Sequence, residues 1–247
     1  MRLWRSRRTP RVVFIHAGGV DGRMWHPVAE RIDGMRLHIP DLRGHGSTPL
    51  PPGEYSHADD LLGMFDDLRI GRATLVGSSL GGWIALQLAT KAPERVAALA
   101  LLASTDRDRD DSEWSPQIVS FREKEDALLA ADDIEAAVAL GLRVWKPRPG
   151  VRDLVEEMTR DAFALQQGVE AQELPLPVDL AAIKVPTLVV SGGKDPMPDF
   201  ARIADHFAAE IDGAERAVIK DAGHLIALER PDATAELLRP WLEGVSA

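Results

Sequence analysis

Short apolar runs recur along the chain, separated by longer stretches with helical spacing. Residues 12–15, 37–39, 73–76, 96–102, 187–190 and 217–219 are β-branched or apolar without polar alternation, the pattern of strands buried on both faces. Between them, residues 22–32, 57–68, 80–91, 198–207 and 231–242 carry apolar positions at the helical period. This alternation predicts an α/β protein with a mostly parallel sheet covered by helices. Ser56, three residues before Asp59, reads as a helix cap, Pro93 as a stop and Pro231 as a helix start.

The rhythm breaks between the fourth and fifth runs. From Ser112 to Asp179 no strand is evident, residues 132–144 and 151–165 have helical spacing, and Pro147, Pro149, Pro175 and Pro177 punctuate the stretch. The expected division is a core of residues 1–111 and 180–247 interrupted by a helical cap at 112–179. A cap of about 65 residues is marginal for a core of its own and is expected to rest on the sheet.

Composition narrows the functional classes. With 247 residues, 45% hydrophobic and 28% charged, the chain is globular and long enough for a large core. Its 39 acidic and 29 basic side chains give a net charge of −10, which disfavours nucleic acid and anionic lipid as partners. The absence of cysteine excludes disulfides, cysteine-held zinc and a thiol nucleophile. The longest apolar run, residues 96–103, is far short of the roughly 20 residues a membrane helix needs. Arg2, Arg5, Arg7, Arg8 and Arg11 form a basic leader with no secretory pattern after it, so the expected location is cytoplasmic.

The sharpest motif is Gly77-Ser78-Ser79-Leu80-Gly81-Gly82, placed after a strand and before a helix. A serine at such a turn sits on strained backbone, and the positions two before and two after it must be nearly free of side chain. That register selects Ser79 as nucleophile. The P-loop and dinucleotide glycine spacings are not matched. Serine needs a base, and of the seven histidines His224 lies on a loop directly after the last strand. His16 and His45, in glycine-rich turns, are read as loop braces, and His26, His38, His57 and His206 as structural. Asp195, after the penultimate strand, is the candidate to orient the imidazole, with Asp106 at the end of the preceding strand as its rival. The amide of Leu80 and the backbone of Gly18, in His16-Ala17-Gly18-Gly19, are candidate oxyanion donors.

Together these motifs resemble the α/β-hydrolase fold superfamily. His16-Ala17-Gly18-Gly19 is similar to its oxyanion loop and Asp41-Leu42-Arg43-Gly44-His45-Gly46-Ser47 to its structural turn. Residues 77–81 are similar to its nucleophile elbow, Gly192-Gly193-Lys194-Asp195 to its acid loop, and Ala222-Gly223-His224 to its base loop. The resemblance implies an α/β-hydrolase fold of six to eight strands with a helical cap, the opening hairpin being shortened or one strand lost because only fifteen residues precede His16. Ala17 stands where glycine is commoner. The His-Ala-Gly start, Met24-Trp25 and the cap resemble carboxylesterases and 3-oxoadipate enol-lactonases.

Family members that are dehalogenases or epoxide hydrolases use aspartate at the elbow, so Ser79 points to acyl transfer: hydrolysis of a small carboxylic ester or lactone, with no metal and no cofactor. Candidate pocket residues are Met24, Trp25, Trp83, Met197 and Leu225, with Trp114, Phe121, Trp145, Met158 and Phe163 from the cap. Arg143, Lys146 and Arg148 could bind a substrate carboxylate or form a solvated face. A carbon–carbon bond hydrolase of ring-cleavage diketones, an acyltransferase and a non-catalytic ligand receptor of the same fold remain open. The expected assembly is a monomer or homodimer.

Overall fold

The chain alternates strand and helix up to the fourth apolar run: β1 (Arg11–Ile15), α1 (His26–Ala29), β2 (Arg36–His38), β3 (Gly53–Tyr55), α2 (His57–Asp67), β4 (Ala73–Ser78), α3 (Leu80–Lys91) and β5 (Val96–Leu102). A helical cap follows, made of α4 (Pro116–Ala130), α5 (Ile134–Trp145) and α6 (Pro149–Gln166), and ends in β6 (Ala171–Glu173). The core resumes with β7 (Thr187–Gly192), α7 (Asp199–Glu210), β8 (Glu215–Ile219), α8 (Ile226–Glu229) and α9 (Pro231–Val245). This computed structural model describes residues 9–174 and 176–246. Arg2, Arg5, Arg7 and Arg8 of the expected basic leader lie outside the described residues. No helix among the described residues is long and apolar enough to cross a membrane.

Six strands form one parallel sheet in the order β2-β1-β4-β5-β7-β8 among the described residues. The uninterrupted apolar runs are explained by burial on both faces. Val12 and Phe14 of β1, Ala98 and Ala100 of β5, and Leu188 and Val190 of β7 enter one core with α8 and α9. Their alternate neighbours Val13, Ile15, Leu99, Leu101 and Val189 enter the opposite core with α2, α3 and α7. The chain proceeds from β1 outward to β2 and then returns to β4 on the other side of β1, so the carboxyl ends of β1 and β4 flank a topological switch point. The cap shares the first core through Ala137, Val138, Leu142, Val155, Met158 and Phe163 rather than building one alone.

Local signals set the boundaries. The Ser56 hydroxyl accepts from the Asp59 N–H at 3.2 Å, Pro231 opens α9, and Asp133 caps α5 by accepting from the Ala136 N–H at 3.1 Å. Three features depart from the sequence reading. The stretch 112–179 contains a strand after all: β6 pairs in parallel with β3 and ties the cap to the core. It also holds α4, whose charged run from Arg122 to Asp126 hides its helical periodicity. The segment expected as one helix at 22–32 is a 3₁₀ turn, Gly22–Trp25, followed by the single-turn α1.

Candidate active site

The site begins where β4 ends. Ser79 has φ 50° and ψ −113°, a conformation that L-residues avoid. Its backbone is held on both sides: the N–H donates to the Leu102 carbonyl at 2.9 Å, and the carbonyl accepts from Gly82 at 3.0 Å and Thr105 at 3.2 Å. The flanking glycines are required by space. A Cβ on Gly77 would overlap the Gly81 carbonyl, and one on Gly81 would overlap the Ile15 carbonyl and lie 2.6 Å from that of His16. Gly82 is equally constrained, since its Cβ would lie 2.6 Å from Ser104 Oγ. Close packing of β1, β4 and α3 thus lifts the Ser79 hydroxyl off the sheet.

Two loops bring the partners. Lys194 N–H donates to the Ala222 carbonyl at 2.8 Å and Gly193 N–H to that of Ile219 at 3.0 Å, so the loops after β7 and β8 are bound together. His224 Nε2 lies 3.1 Å from Ser79 Oγ, and its Nδ1 lies 2.8 Å from Asp195 Oδ2. With Asp195 ionised, Nδ1 carries the proton and Nε2 is free to accept from the serine hydroxyl. The second carboxylate oxygen, Oδ1, accepts from the Met197 N–H at 3.0 Å. Both side chains are almost fully buried, and the imidazole packs against Trp145, stacked at 4.5 Å, and against Phe200 at 4.2 Å. Asp106 faces elsewhere: it borders a second cavity of about 400 Å³ with Trp83, Arg109, Arg202 and His206, and burial raises its carboxyl above the usual range.

Sequence reasoning missed Glu229. This buried carboxylate on α8 accepts from the Gly223 N–H at 3.0 Å and so anchors the residue before His224. Burial pushes its pKa up, against the Gly223 and Leu225 N–H groups that favour the ionised form. A single glutamate on a short helix leaves no pattern that sequence could reveal.

Across from the imidazole, the loop after β1 carries Gly18, which lines the same cavity as Ser79, Leu80 and His224. A Cβ on Gly18 would lie 3.6 Å from Leu80 Cδ2, so the two expected oxyanion donors are neighbours. His16 and His45 act as braces. His16 Nδ1 donates to the Ala17 carbonyl at 2.8 Å while its Nε2 accepts from Leu42 N–H at 2.8 Å. His45 Nε2 accepts from Gly19 N–H at 3.3 Å. Burial holds both rings neutral, with His16 lowered to about 3. Asp41 completes the turn, one oxygen accepting from Gly22 N–H and the other from the Ser47 N–H and hydroxyl, each at 2.9 Å.

A cavity of about 460 Å³ opens beside Ser79, between the sheet edge and the cap. Of the ten expected pocket residues, Phe121, Trp145, Phe163 and Leu225 line it. The other six do not. Met24, Met158 and Met197 are wholly buried in the cores, Trp25 packs on Phe14 at 4.9 Å, Trp83 turns to the second cavity, and Trp114 lies under the Arg122 guanidinium at 4.2 Å. Each is apolar enough for either place, and tertiary packing turns it away from the cavity beside Ser79. Arg143, Lys146 and Arg148 are exposed and outside the cavity. The polar lining comes instead from Arg43, Tyr55, His57, Glu125 and Glu173, among others. No group of three or more His, Asp and Glu side chains among the described residues could hold a metal ion.

A profile of the Alpha/beta hydrolase family matches residues 12–237. The chain belongs to that family. Among curated relatives of this hydrolase, the lipase LipV of Mycobacterium tuberculosis is 30% identical over 256 residues, covering 94% of this chain and 93% of LipV. A thermophilic esterase from Thermogutta terrifontis matches with a TM-score of 0.78 at 25% identity, covering 96% of this chain and 91% of that one. The enol-lactonase from Burkholderia xenovorans LB400 matches with a TM-score of 0.75 at 27% identity, covering 97% and 93%.

One cavity residue gives the hydrolase a testable pH dependence. Glu125, partly buried on α4 beside Asp126, has its pKa raised to about 7, first by burial and then by that neighbour. An unfolded glutamate titrates near 4.3. Between these values the folded chain keeps a proton that the unfolded chain has released, so stability falls as pH rises through this window and stays lowered above it. Glu125→Gln removes the penalty. The variant is expected to gain roughly 1–2 kcal/mol over the parent at pH 8 and nothing at pH 4, read from urea unfolding at both pH values.

Proposed function

We propose that this member of the family is a serine hydrolase cleaving a small carboxylic ester or lactone through an acyl-enzyme on Ser79. The observation that carries the reading is the relay Ser79 Oγ–His224 Nε2–Asp195, with distances of 3.1 and 2.8 Å, opening on one cavity beside Gly18 and Leu80. Ser79 Oγ attacks the carbonyl carbon while His224 Nε2 takes the hydroxyl proton. The Gly18 and Leu80 amides receive the charge that develops on the carbonyl oxygen, in a site where the cap limits water. The tetrahedral adduct collapses as His224 returns the proton to the departing alkoxide. A water then repeats the sequence on the acyl-enzyme, with His224 as base, and releases the acid. Asp195 stays ionised throughout, fixing the ring and balancing its transient charge.

In this reading the core comprises residues 1–111 and 180–247 and the cap 112–179, one chain supplies every reacting group, and the partner is a small molecule. The cysteine-free composition is compatible with action in the cytoplasm, where disulfides would not persist. The likeness to a lipase, an esterase and an enol-lactonase supports ester or lactone chemistry. A panel of p-nitrophenyl esters, lactones and a ring-fission diketone tests it. Turnover of short esters or lactones without an added acceptor is expected. Turnover of the diketone alone, or product only with an alcohol or thiol acceptor, would replace the reading.

A further inference from the structure

His57 stands in the cavity wall with an unmet need. It begins α2, is 3% exposed, and lines the cavity that holds Ser79. Its Nδ1 is buried with no hydrogen-bond partner. An unpaired buried polar atom is destabilising, and burial lowers the imidazole pKa to about 4, so the ring is neutral and can either donate or accept. His45, which also lines the cavity, is not in that state, since both of its ring nitrogens have backbone partners.

The neighbours define the chemistry. Tyr55, which also lines the cavity, sets its ring edge-on to His57 with centroids 5.0 Å apart. Glu173, from β6, lines the cavity too, and its carboxylate is bound by Arg107 at 2.5 Å. Arg43 is held by both oxygens of Asp60, at 2.5 and 2.6 Å. The two ion pairs cancel locally, and a neutral imidazole and a phenol remain. Around His57 the wall is therefore polar without net charge, unlike the part of the lining that carries Glu125 and Asp126, and suits a neutral hydrogen-bonding group rather than a carboxylate or an ammonium. Tyr55 pairs with Glu173 in the register that joins β3 to β6, so the core and the end of the cap meet at this point.

We infer that His57, Tyr55 and Glu173 form a polar subsite of the cavity that binds a hydroxyl carried by the substrate away from the scissile bond. The inference rests on the hydrolase reading and names the substrate class of that site: esters or lactones with a free hydroxyl on the acyl or the alcohol part. The subsite replaces the substrate-carboxylate role weighed for Arg143, Lys146 and Arg148, which are exposed and outside the cavity.

The test compares pairs that differ by one hydroxyl: p-nitrophenyl 6-hydroxyhexanoate against p-nitrophenyl hexanoate, and 6-hydroxyhexyl acetate against hexyl acetate. In one pair the hydroxylated ester is expected to have a kcat/KM about tenfold higher, mainly through KM. His57→Phe should bring that ratio close to one, Tyr55→Phe should lower it in part, and His57→Gln, which keeps a hydrogen-bonding group, should restore some of it. No preference in either pair, or a preference that survives His57→Phe, overturns the subsite. Calorimetric binding of 1,6-hexanediol and 1-hexanol to Ser79→Ala gives a readout without turnover. Equal binding counts against the subsite even in an active hydrolase. Preferential binding of the diol beside a wild-type chain that turns over no ester overturns the hydrolase reading and leaves the subsite standing.

Discussion

Ser79→Ala is expected to lower kcat/KM for ester hydrolysis by at least about a thousandfold while leaving the fold intact. Loss of the serine removes the group that receives the acyl chain, and the oxyanion donors and cavity can supply only the residual rate that such sites retain. The backbone predicts a second effect at the same position. Ser79 stands at φ 50°, and strain of this kind costs of order 1–3 kcal/mol in a residue with a Cβ. Alanine keeps that Cβ and so the strain, whereas Ser79→Gly relieves it. The glycine variant should be as inactive as the alanine variant yet more stable by about 1 kcal/mol, as measured by urea unfolding. An inactive glycine variant with unchanged stability would show that the elbow is not strained. Substantial activity in either variant would remove Ser79 from the mechanism.

Asp195→Asn is the second large effect, a fall in kcat of about 10⁴. The carboxylate accepts from His224 Nδ1 at 2.8 Å while its other oxygen accepts from the Met197 N–H at 3.0 Å. An amide has one acceptor oxygen for these two donors. Keeping the Met197 bond turns the NH₂ toward the ring, which stabilises the tautomer protonated on Nε2 and leaves the serine proton without an acceptor. Asp106→Asn is expected to change kcat less than threefold, because Asp106 borders the second cavity with Trp83, Arg109 and His206. If Asp106→Asn carried the large loss and Asp195→Asn did not, the carboxylate assignment would be reversed.

How much was legible in the chain depended on whether a signal was local. β5 could be read from end to end because seven consecutive residues are apolar, and α3 because the elbow opens it and Pro93 follows its end. The juxtaposition of Ser79, Asp195 and His224 is legible for the same reason: each follows a recognisable strand, and short glycine-containing loops aim each one. Helix α4 escaped because the charges from Arg122 to Asp126 blur its apolar stripe. β3 and β6 escaped because three residues each carry no period, and their pairing joins positions more than a hundred residues apart. The pocket is the least legible part of the site. Met24, Met158 and Met197 have the composition of a pocket and the burial of a core, since which face an apolar side chain takes is decided by tertiary packing. Glu125 and His57 posed the converse problem, being polar residues at helical positions that become informative only once the cavity around them is known.

The pairing of β3 with β6 also bears on how the cap is held. Gly53 N–H donates to the Glu170 carbonyl at 2.9 Å and Leu174 N–H to that of Tyr55 at 2.8 Å, so main-chain bonds supplement the apolar contacts of α5 and α6. The polar wall at His57 and Glu173 lies beside that join. Cap attachment and the recognition of a substrate hydroxyl therefore share residues, so substitutions at Tyr55 or Glu173 need their effect on stability measured beside their effect on KM.

The central claim is that Ser79 forms the covalent acyl intermediate, and the most direct measurement is labelling of the intact chain with a fluorophosphonate followed by peptide mass mapping. The account predicts one equivalent of label on Ser79, slowed by an excess of hydrolysable ester present during labelling, and absent in both Ser79→Ala and His224→Ala. Label on any other residue, or ester turnover that persists with Ser79 unlabelled, would contradict it.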